Sequence, residues 1–160
     1  MKIIKFVQGP FQTNSYLLLK NEQAILIDPT GKSTAILKAL EGLSLKAILL
    51  THAHFDHIGL VDELMERFNC PCYLHPDDIE IATTIKYNQL GPYGAIIKHP
   101  LNEVYEGSLK IGDFQFEVIH TPGHTPGSLI YVIENHMFSG DTLFKGSIGR
   151  TDLYGGDQGQ

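Results

Sequence analysis

Leu45-Lys46-Ala47-Ile48-Leu49-Leu50 runs without a break into Thr51-His52-Ala53-His54-Phe55-Asp56-His57. The first half is a nearly continuous apolar run, the pattern of a strand buried on both faces. The second half puts three imidazoles and a carboxylate within six residues. Imidazole and carboxylate donors suit zinc, iron or manganese. The end of a buried strand is also where open α/β sheets hold their ligands. In an extended segment His52 and His54 share a face, so both reach one ion. A helix starting just after them carries Asp56 and His57 round toward a neighbouring position. One short loop then serves two adjacent ions.

Upstream of this stretch, Ile3–Val7 and Ser15–Leu19 read as strands, split by the turn-prone Gly9-Pro10 and Thr13-Asn14. Ala24–Ile27 is a short buried strand ending at Asp28-Pro29. From Ser33 to Leu43 the apolar spacing is helical, with Ala35, Ile36, Ala39, Leu40 and Leu43 on one stripe. Downstream, Leu60, Val61, Leu64, Met65 and Phe68 form a second helical stripe, and Cys72–Leu74 a brief strand. Pro76-Asp77-Asp78 opens a third helix, with Pro76 near its first turn and the acids favourable at its N-terminal dipole. That helix is expected to reach about Asn88. From Val104 the period drops to two, and Leu109–Ile111, Phe114–Ile119, Leu129–Ile133 and His136–Phe138 read as strands. The order implies an α/β (α+β) protein in which a mixed sheet is covered by helices. Residues 1–160 are read as one domain. Gly146 to Gln160 is Gly-rich and stops without a closing element, so the domain is expected to be incomplete at its C-terminus.

Two later segments carry chemistry. Thr121-Pro122-Gly123-His124-Thr125-Pro126-Gly127-Ser128 is a stiff turn with His124 at its tip, a rigid place for a ligand histidine. In Phe138-Ser139-Gly140-Asp141-Thr142, Asp141 follows a strand. Alone it reads as a cap or turn residue; between two cations it reads as a bridge.

Together these segments resemble the metallo-β-lactamase superfamily, and within it the glyoxalase II (hydroxyacylglutathione hydrolase) group and its compact bacterial relatives. Asp28 in Leu26-Ile27-Asp28-Pro29 and the run Gly149-Arg150-Thr151-Asp152-Leu153 add to the likeness. The resemblance implies an αββα sandwich, here without its last strand and helices. It implies that His52, His54 and His124 hold a first metal, that Asp56 and His57 serve a second, and that Asp141 bridges. Asp56 and Asp141 are then the catalytic carboxylates. It implies Arg150 near the substrate and Asp28 as an acid supporting the metal loop by hydrogen bonds. Zinc is the expected cofactor, two ions if the chain is complete, with iron or manganese as alternatives. The implied activity is hydrolysis of a small acyl thioester or ester by a metal-activated water. A mono-iron oxidoreductase resembling the persulfide dioxygenases, using His52, His124 and Asp141, is the alternative. A non-catalytic metal-binding module is a third reading. In two respects the chain departs from the glyoxalase II pattern: no histidine follows His136 to complete the second metal, and the glutathione-binding helical domain is absent.

The remaining features bound the partners. The net charge of −6 argues against a nucleic-acid partner, because phosphate binding needs clustered Lys and Arg. Cys70 and Cys72 stand one residue apart and read as small apolar fillers rather than a disulfide. Few cysteines, no signal-peptide layout and no apolar run of membrane-spanning length suggest a soluble cytoplasmic protein. An unpaired sheet edge is available for a second copy, so a homo-oligomer is open. His75, His99 and His120 have no motif partners and read as structural or surface residues.

Overall fold

The computed structural model describes residues 1–160. β1 (Lys2–Gln8), β2 (Thr13–Lys20) and β3 (Gln23–Ile27) form an antiparallel meander. After α1 (Ser33–Ala39), β4 (Ser44–Leu49) pairs with β3 in parallel. α2 (Phe55–Ile58) and α3 (Val61–Phe68) lead to β5 (Cys72–Leu74), parallel to β4. A 3₁₀ turn (Pro76–Asp78), α4 (Ile79–Thr83), a second 3₁₀ turn (Ile85–Tyr87) and the small hairpin of β6 (Gln89–Leu90) and β7 (Tyr93–Gly94) follow. β8 (Asn102–Glu103) then closes a six-stranded sheet of order β1-β2-β3-β4-β5-β8. β9 (Gly107–Ile111), β10 (Phe114–His120), β11 (Leu129–Ile133) and β12 (His136–Phe138) make a four-stranded antiparallel sheet. A last hairpin joins β13 (Leu143–Phe144) and β14 (Ser147–Ile148).

Strand alternation divides the interior into two cores. Leu17, Ala24, Leu26, Leu45, Ile48 and Leu50 pack under the helices, with Ile36, Val61 and Leu64 facing them. Leu18, Ile25, Ile27, Ala47 and Leu49 face Phe114, Phe116, Val118, Leu129 and Tyr131 of the second sheet. Both faces of β3 and β4 are therefore largely dry, which is why these strands read as nearly continuous apolar runs. The layering is that of the metallo-β-lactamase fold. Within residues 1–160 helices cover only the six-stranded sheet, and the outer face of the other carries Lys110, Gln115 and Glu117, all exposed.

The third helix departs from expectation. The run from Pro76 to Asn88 is not continuous, because Thr84 is extended (φ −121°, ψ 106°) and separates α4 from the second 3₁₀ turn. β-branched Thr83 and Thr84 disfavour helix at this point, and the Thr83 hydroxyl bonds back to the Ile79 carbonyl at 2.8 Å. α1 stops at Ala39, short of Leu43, as Gly42 takes a left-handed turn (φ +75°). Both cysteines are free and buried, as fillers should be, and burial pushes Cys70 up to about 11. No helix is long and apolar enough to cross a membrane.

The topology places the site. The carboxyl ends of β3, β4 and β5 lie side by side and present Asp28, Thr51-His52 and His75. The second sheet is stitched to the same edge, since Leu129 N–H donates to Thr51 O at 2.7 Å and the Tyr131 hydroxyl to Leu50 O at 3.0 Å.

Candidate metal centre

Three of the four motif histidines, His52, His57 and His124, are each aimed by a partner that also fixes the tautomer. Asp28 begins this chain of contacts. It is buried in the left-handed conformation (φ +49°), and its Oδ1 accepts the Thr51 N–H at 2.8 Å. Its Oδ2 accepts the Thr51 hydroxyl at 2.6 Å and His57 Nδ1–H at 2.9 Å. The Thr51 hydroxyl has spent its proton on Asp28, so it accepts from His52 Nδ1 at 3.1 Å. His52 therefore presents a bare Nε2. His124 Nδ1–H donates to the Arg150 carbonyl at 2.7 Å, which bares its Nε2 as well.

These nitrogens converge. His124 Nε2 lies 2.9 Å from His54 Nδ1 and 3.2 Å from His52 Nε2. The rings of His52, His54 and His124 meet nearly at right angles, with interplanar angles of 77–88°. Four nitrogens around a tetrahedral zinc with bonds of about 2.05 Å would stand about 3.3 Å apart. His52, His54 and His124 thus fit a cation: buried lone pairs facing one another with too few protons to satisfy them.

A second donor group lies beside the first. His57 Nε2 is buried with no hydrogen-bond partner, although Asp141 Oδ1 is 3.3 Å away and Asp56 Oδ2 is 3.7 Å away. An orphaned buried nitrogen is costly, and a cation between it and the two carboxylates removes the cost. The Thr13 hydroxyl holds Asp56 Oδ2 at 2.7 Å. Asp141 turns Oδ1 toward His57 and Oδ2 toward His124, at 3.3 and 3.7 Å.

Charge follows the same division. Burial, then the like charges of its neighbours, holds His52 well below the ordinary imidazole value. The same causes take His54 down to about 3. Burial also disfavours His57 imidazolium, but the carboxylates of Asp28 and Asp141 outweigh it and hold that ring well above the ordinary value. Burial raises the Asp141 carboxyl, and His57 more than offsets this, leaving it below the usual range.

The six motif residues His52, His54, Asp56, His57, His124 and Asp141 are brought together, and Asp28 lies directly behind them. Arg150 reaches the cluster through its carbonyl. Its guanidinium is exposed and pairs bidentately with Asp152 at 2.7 and 2.8 Å.

Sequence reasoning missed Asp78, read only as a helix-dipole acid. It is completely buried and clamps the two histidine loops together. Its Oδ2 accepts Ala53 N–H at 2.9 Å and the Thr125 hydroxyl at 2.8 Å, and its Oδ1 accepts Gly127 N–H at 2.7 Å. A Cβ on Gly127 would stand 2.8 Å from that carboxylate, so the loop needs glycine there. The available signal was the second Pro-Gly pair, Pro126-Gly127, which marked a close approach without naming its partner.

This fold, with a clustered His/Asp site at the strand ends, defines a class of metal-dependent hydrolases. The model for the metallo-β-lactamase superfamily matches residues 8–160, and the chain belongs to that superfamily. Among relatives, the chain is 42% identical to the probable metallo-hydrolase YqgX of Bacillus subtilis (strain 168), over 99% of this chain and 79% of that protein. It is 33% identical to the hydroxyacylglutathione hydrolase GloC of Haemophilus influenzae, over 92% of this chain and 74% of that protein. Among solved structures, the BLEG-1 B3 metallo-β-lactamase superposes with a TM-score of 0.92 at 42% identity, covering 99% of this chain and 80% of that one. TTHA1623 in a di-iron-bound form gives 0.80 at 38% identity, covering 96% and 79%. The chain is accordingly a metallo-hydrolase of this superfamily.

Proposed function

We propose that this protein cleaves a small acyl thioester or ester at a two-metal centre, with zinc as the resident metal. The observation that carries this reading is the pair of donor groups on either side of Asp141: three imidazole nitrogens on one, and the orphaned His57 Nε2 with Asp56 on the other. In this reading His52 Nε2, His54 Nδ1 and His124 Nε2 hold the first ion, His57 Nε2 and Asp56 the second, and Asp141 spans both. Bound there, the ions would supply Lewis acidity, lowering the pKa of water from about 15.7 toward 7 and polarising the acyl carbonyl.

The protein's own groups do the rest. Asp28 keeps His57 and, through Thr51, His52 in the tautomers that face the site. Asp56, half-buried and fixed by Thr13, orients the attacking water by accepting one of its hydrogen bonds. Water oxygen adds to the acyl carbon, the C–S bond breaks, and carboxylate, thiol and one proton result. A thiolate departs without first being protonated, because its ordinary pKa is about 8.5. A carboxylate-lined cleft therefore suffices for thioesters. The likeness to the hydroxyacylglutathione hydrolase GloC supports this substrate class.

The 42% identity with BLEG-1 favours a second reading, the amide of a β-lactam. Metal analysis and a substrate panel decide between them. Two zincs per chain, with turnover of S-lactoylglutathione or simpler acyl thioesters and no turnover of nitrocefin, is the expected result. One iron per chain with no thioesterase activity would move the assignment to the dioxygenase reading. Nitrocefin turnover without thioester turnover would move it to the lactamase.

A further inference from the structure

Two clefts open from Asp56. One, of about 450 Å³, runs past Gln12, Asn14, Ser139 and Lys145; its exposed lining is more polar than apolar, although Tyr16, Phe138 and Phe144 also stand on it. The other, of about 300 Å³, is walled by Pro10, Phe11, Phe55, Pro92 and Tyr93. Phe11 lines both and divides them. It stands in the β1–β2 turn and meets Phe55 and Tyr93 edge-on, each at 5.4 Å between ring centroids. Phe11 and Tyr93 are 43% and 45% exposed. Large apolar side chains gathered at the mouth of a polar metal centre, rather than folded into a core, mark a surface kept for an apolar ligand. Phe55 also sits in the chain between His54 and Asp56. The aromatic wall is thus covalently fixed to the catalytic loop.

We propose that the Pro10–Phe11–Phe55–Tyr93 cleft is the acyl-side subsite, and that the preferred substrate carries a hydrocarbon acyl group, aromatic or branched, in place of a small hydroxyacyl group. The proposal rests on the thioesterase reading. An acyl carbon attacked beside Asp56 has these two clefts directly at hand for its substituent, since both are lined by Asp56. The second, whose exposed lining is mostly apolar and holds no cationic side chain, desolvates a hydrocarbon chain, whereas the first, more polar in its exposed lining and carrying Lys145, suits the hydrogen-bonding thiol portion. A cleft of this size lies at the lower end of ligand pockets and accepts a phenyl ring but not a drug-sized molecule.

The test uses metal-loaded full-length protein and two thioesters of one thiol, N-acetylcysteamine, bearing 3-phenylpropanoyl or propanoyl groups. Rates are normalised to alkaline hydrolysis, and binding of the product carboxylates is followed by shifts of the Tyr93 ring in NMR spectra. The expected preference in kcat/KM for the phenyl substrate is about 10-fold or more. Phe11→Ala should bring the ratio close to unity and abolish the Tyr93 shift with 3-phenylpropanoate. Phe11→Leu should give an intermediate ratio if Phe11→Ala folds poorly. Tyr105→Ala, remote from the cleft, should leave the ratio as it is. Equal rates on both thioesters, or a preference that survives Phe11→Ala and Tyr93→Ala, would overturn the subsite and leave the thioesterase reading standing. Hydrolysis of neither would overturn both.

Discussion

Two clusters of imidazoles lie at the same end of this molecule, and they are built differently. In the first, His52, His54 and His124 meet edge to edge, and their nitrogens close to 2.9–3.2 Å. In the second, His75 and His120 lie face to face, 4.1 Å between centroids and 14° from parallel. Asp77 stands beside His75 at 3.6 Å, so the second cluster also has imidazole and carboxylate donors within reach of one another. Stacked rings, however, point their lone pairs along parallel planes and not at a common point. The hydrogen bonds behind the rings make the difference. Asp28, Thr51 and the Arg150 carbonyl turn the first group inward. His120 spends Nε2–H on the Pro126 carbonyl at 2.8 Å, and His75 Nδ1 accepts Asp77 N–H as a helix cap at 3.3 Å. Ring orientation, more than the number of histidines, makes a metal centre.

The largest effect that can break this contrast is loss of metal. His54→Ala removes one of three converging nitrogens and should cut thioester turnover by about 10³-fold or more, with zinc content falling below two per chain. His75→Ala should leave zinc content at two. Elemental analysis of both variants after dialysis checks this. A fall of one zinc on His75→Ala would show that the stacked pair also holds a cation.

Next in size is the clamp. Asp78→Ala leaves Ala53 N–H and Gly127 N–H without their acceptor, while the Thr125 hydroxyl keeps only Ser128 Oγ at 2.8 Å. Each unsatisfied buried group costs about 1–3 kcal/mol, so a loss of about 3–5 kcal/mol is expected in denaturant unfolding of the metal-free protein. A loss under about 1 kcal/mol would mean that the two histidine loops hold their places without Asp78.

Asp78 also shows where the sequence stops being legible. His52 to His57 could be read because the donors are adjacent in the chain and follow a strand whose burial is visible as an apolar run. His124 and Asp141 could be recognised by motif alone. The partners that aim them could not. Thr13, Thr51 and Asp78 are common residue types whose roles depend on a neighbour 23 to 49 positions away. The Arg150 contribution is a backbone carbonyl, which no residue type reveals. The break at Thr84 is likewise a tertiary choice in a stretch whose local pattern allowed helix.

Acid should separate the clusters more gently. His54 titrates near 3 in the folded chain and near 6.5 when unfolded, and His52 is shifted the same way. Below 6.5 the unfolded chain takes up protons that the folded chain refuses, so stability falls as pH drops from about 6.5 toward 3. His57 acts oppositely: its raised value contributes stability that is whole below 6.5 and lost as pH climbs through the folded value. Above the carboxylate range the acid limb of the metal-free protein is therefore set chiefly by His52 and His54, at up to about 1.4 kcal/mol per pH unit for each, and depressed carboxylates such as Asp141 add to it only at lower pH. His54→Asn should flatten that limb in thermal melts between pH 6 and 4. His75→Asn should change it less, because burial lowers His75 only in part and Asp77 opposes the shift.

The smallest effect tests whether the stacked pair is anything more than packing. His120→Phe keeps a flat ring against His75 and loses the hydrogen bond to the Pro126 carbonyl. An aromatic pair contributes about 0.5–1.5 kcal/mol and a single hydrogen bond about 1 kcal/mol, so the variant should lose about 1 kcal/mol. Pro126 lies two residues beyond His124 in the same rigid turn. If that turn is held chiefly by Asp78, as the two hydrogen bonds from Thr125 and Gly127 indicate, zinc affinity should be unchanged in His120→Phe. If zinc affinity drops about 10-fold instead, the second cluster is a brace for the first, and the two are one structure rather than two.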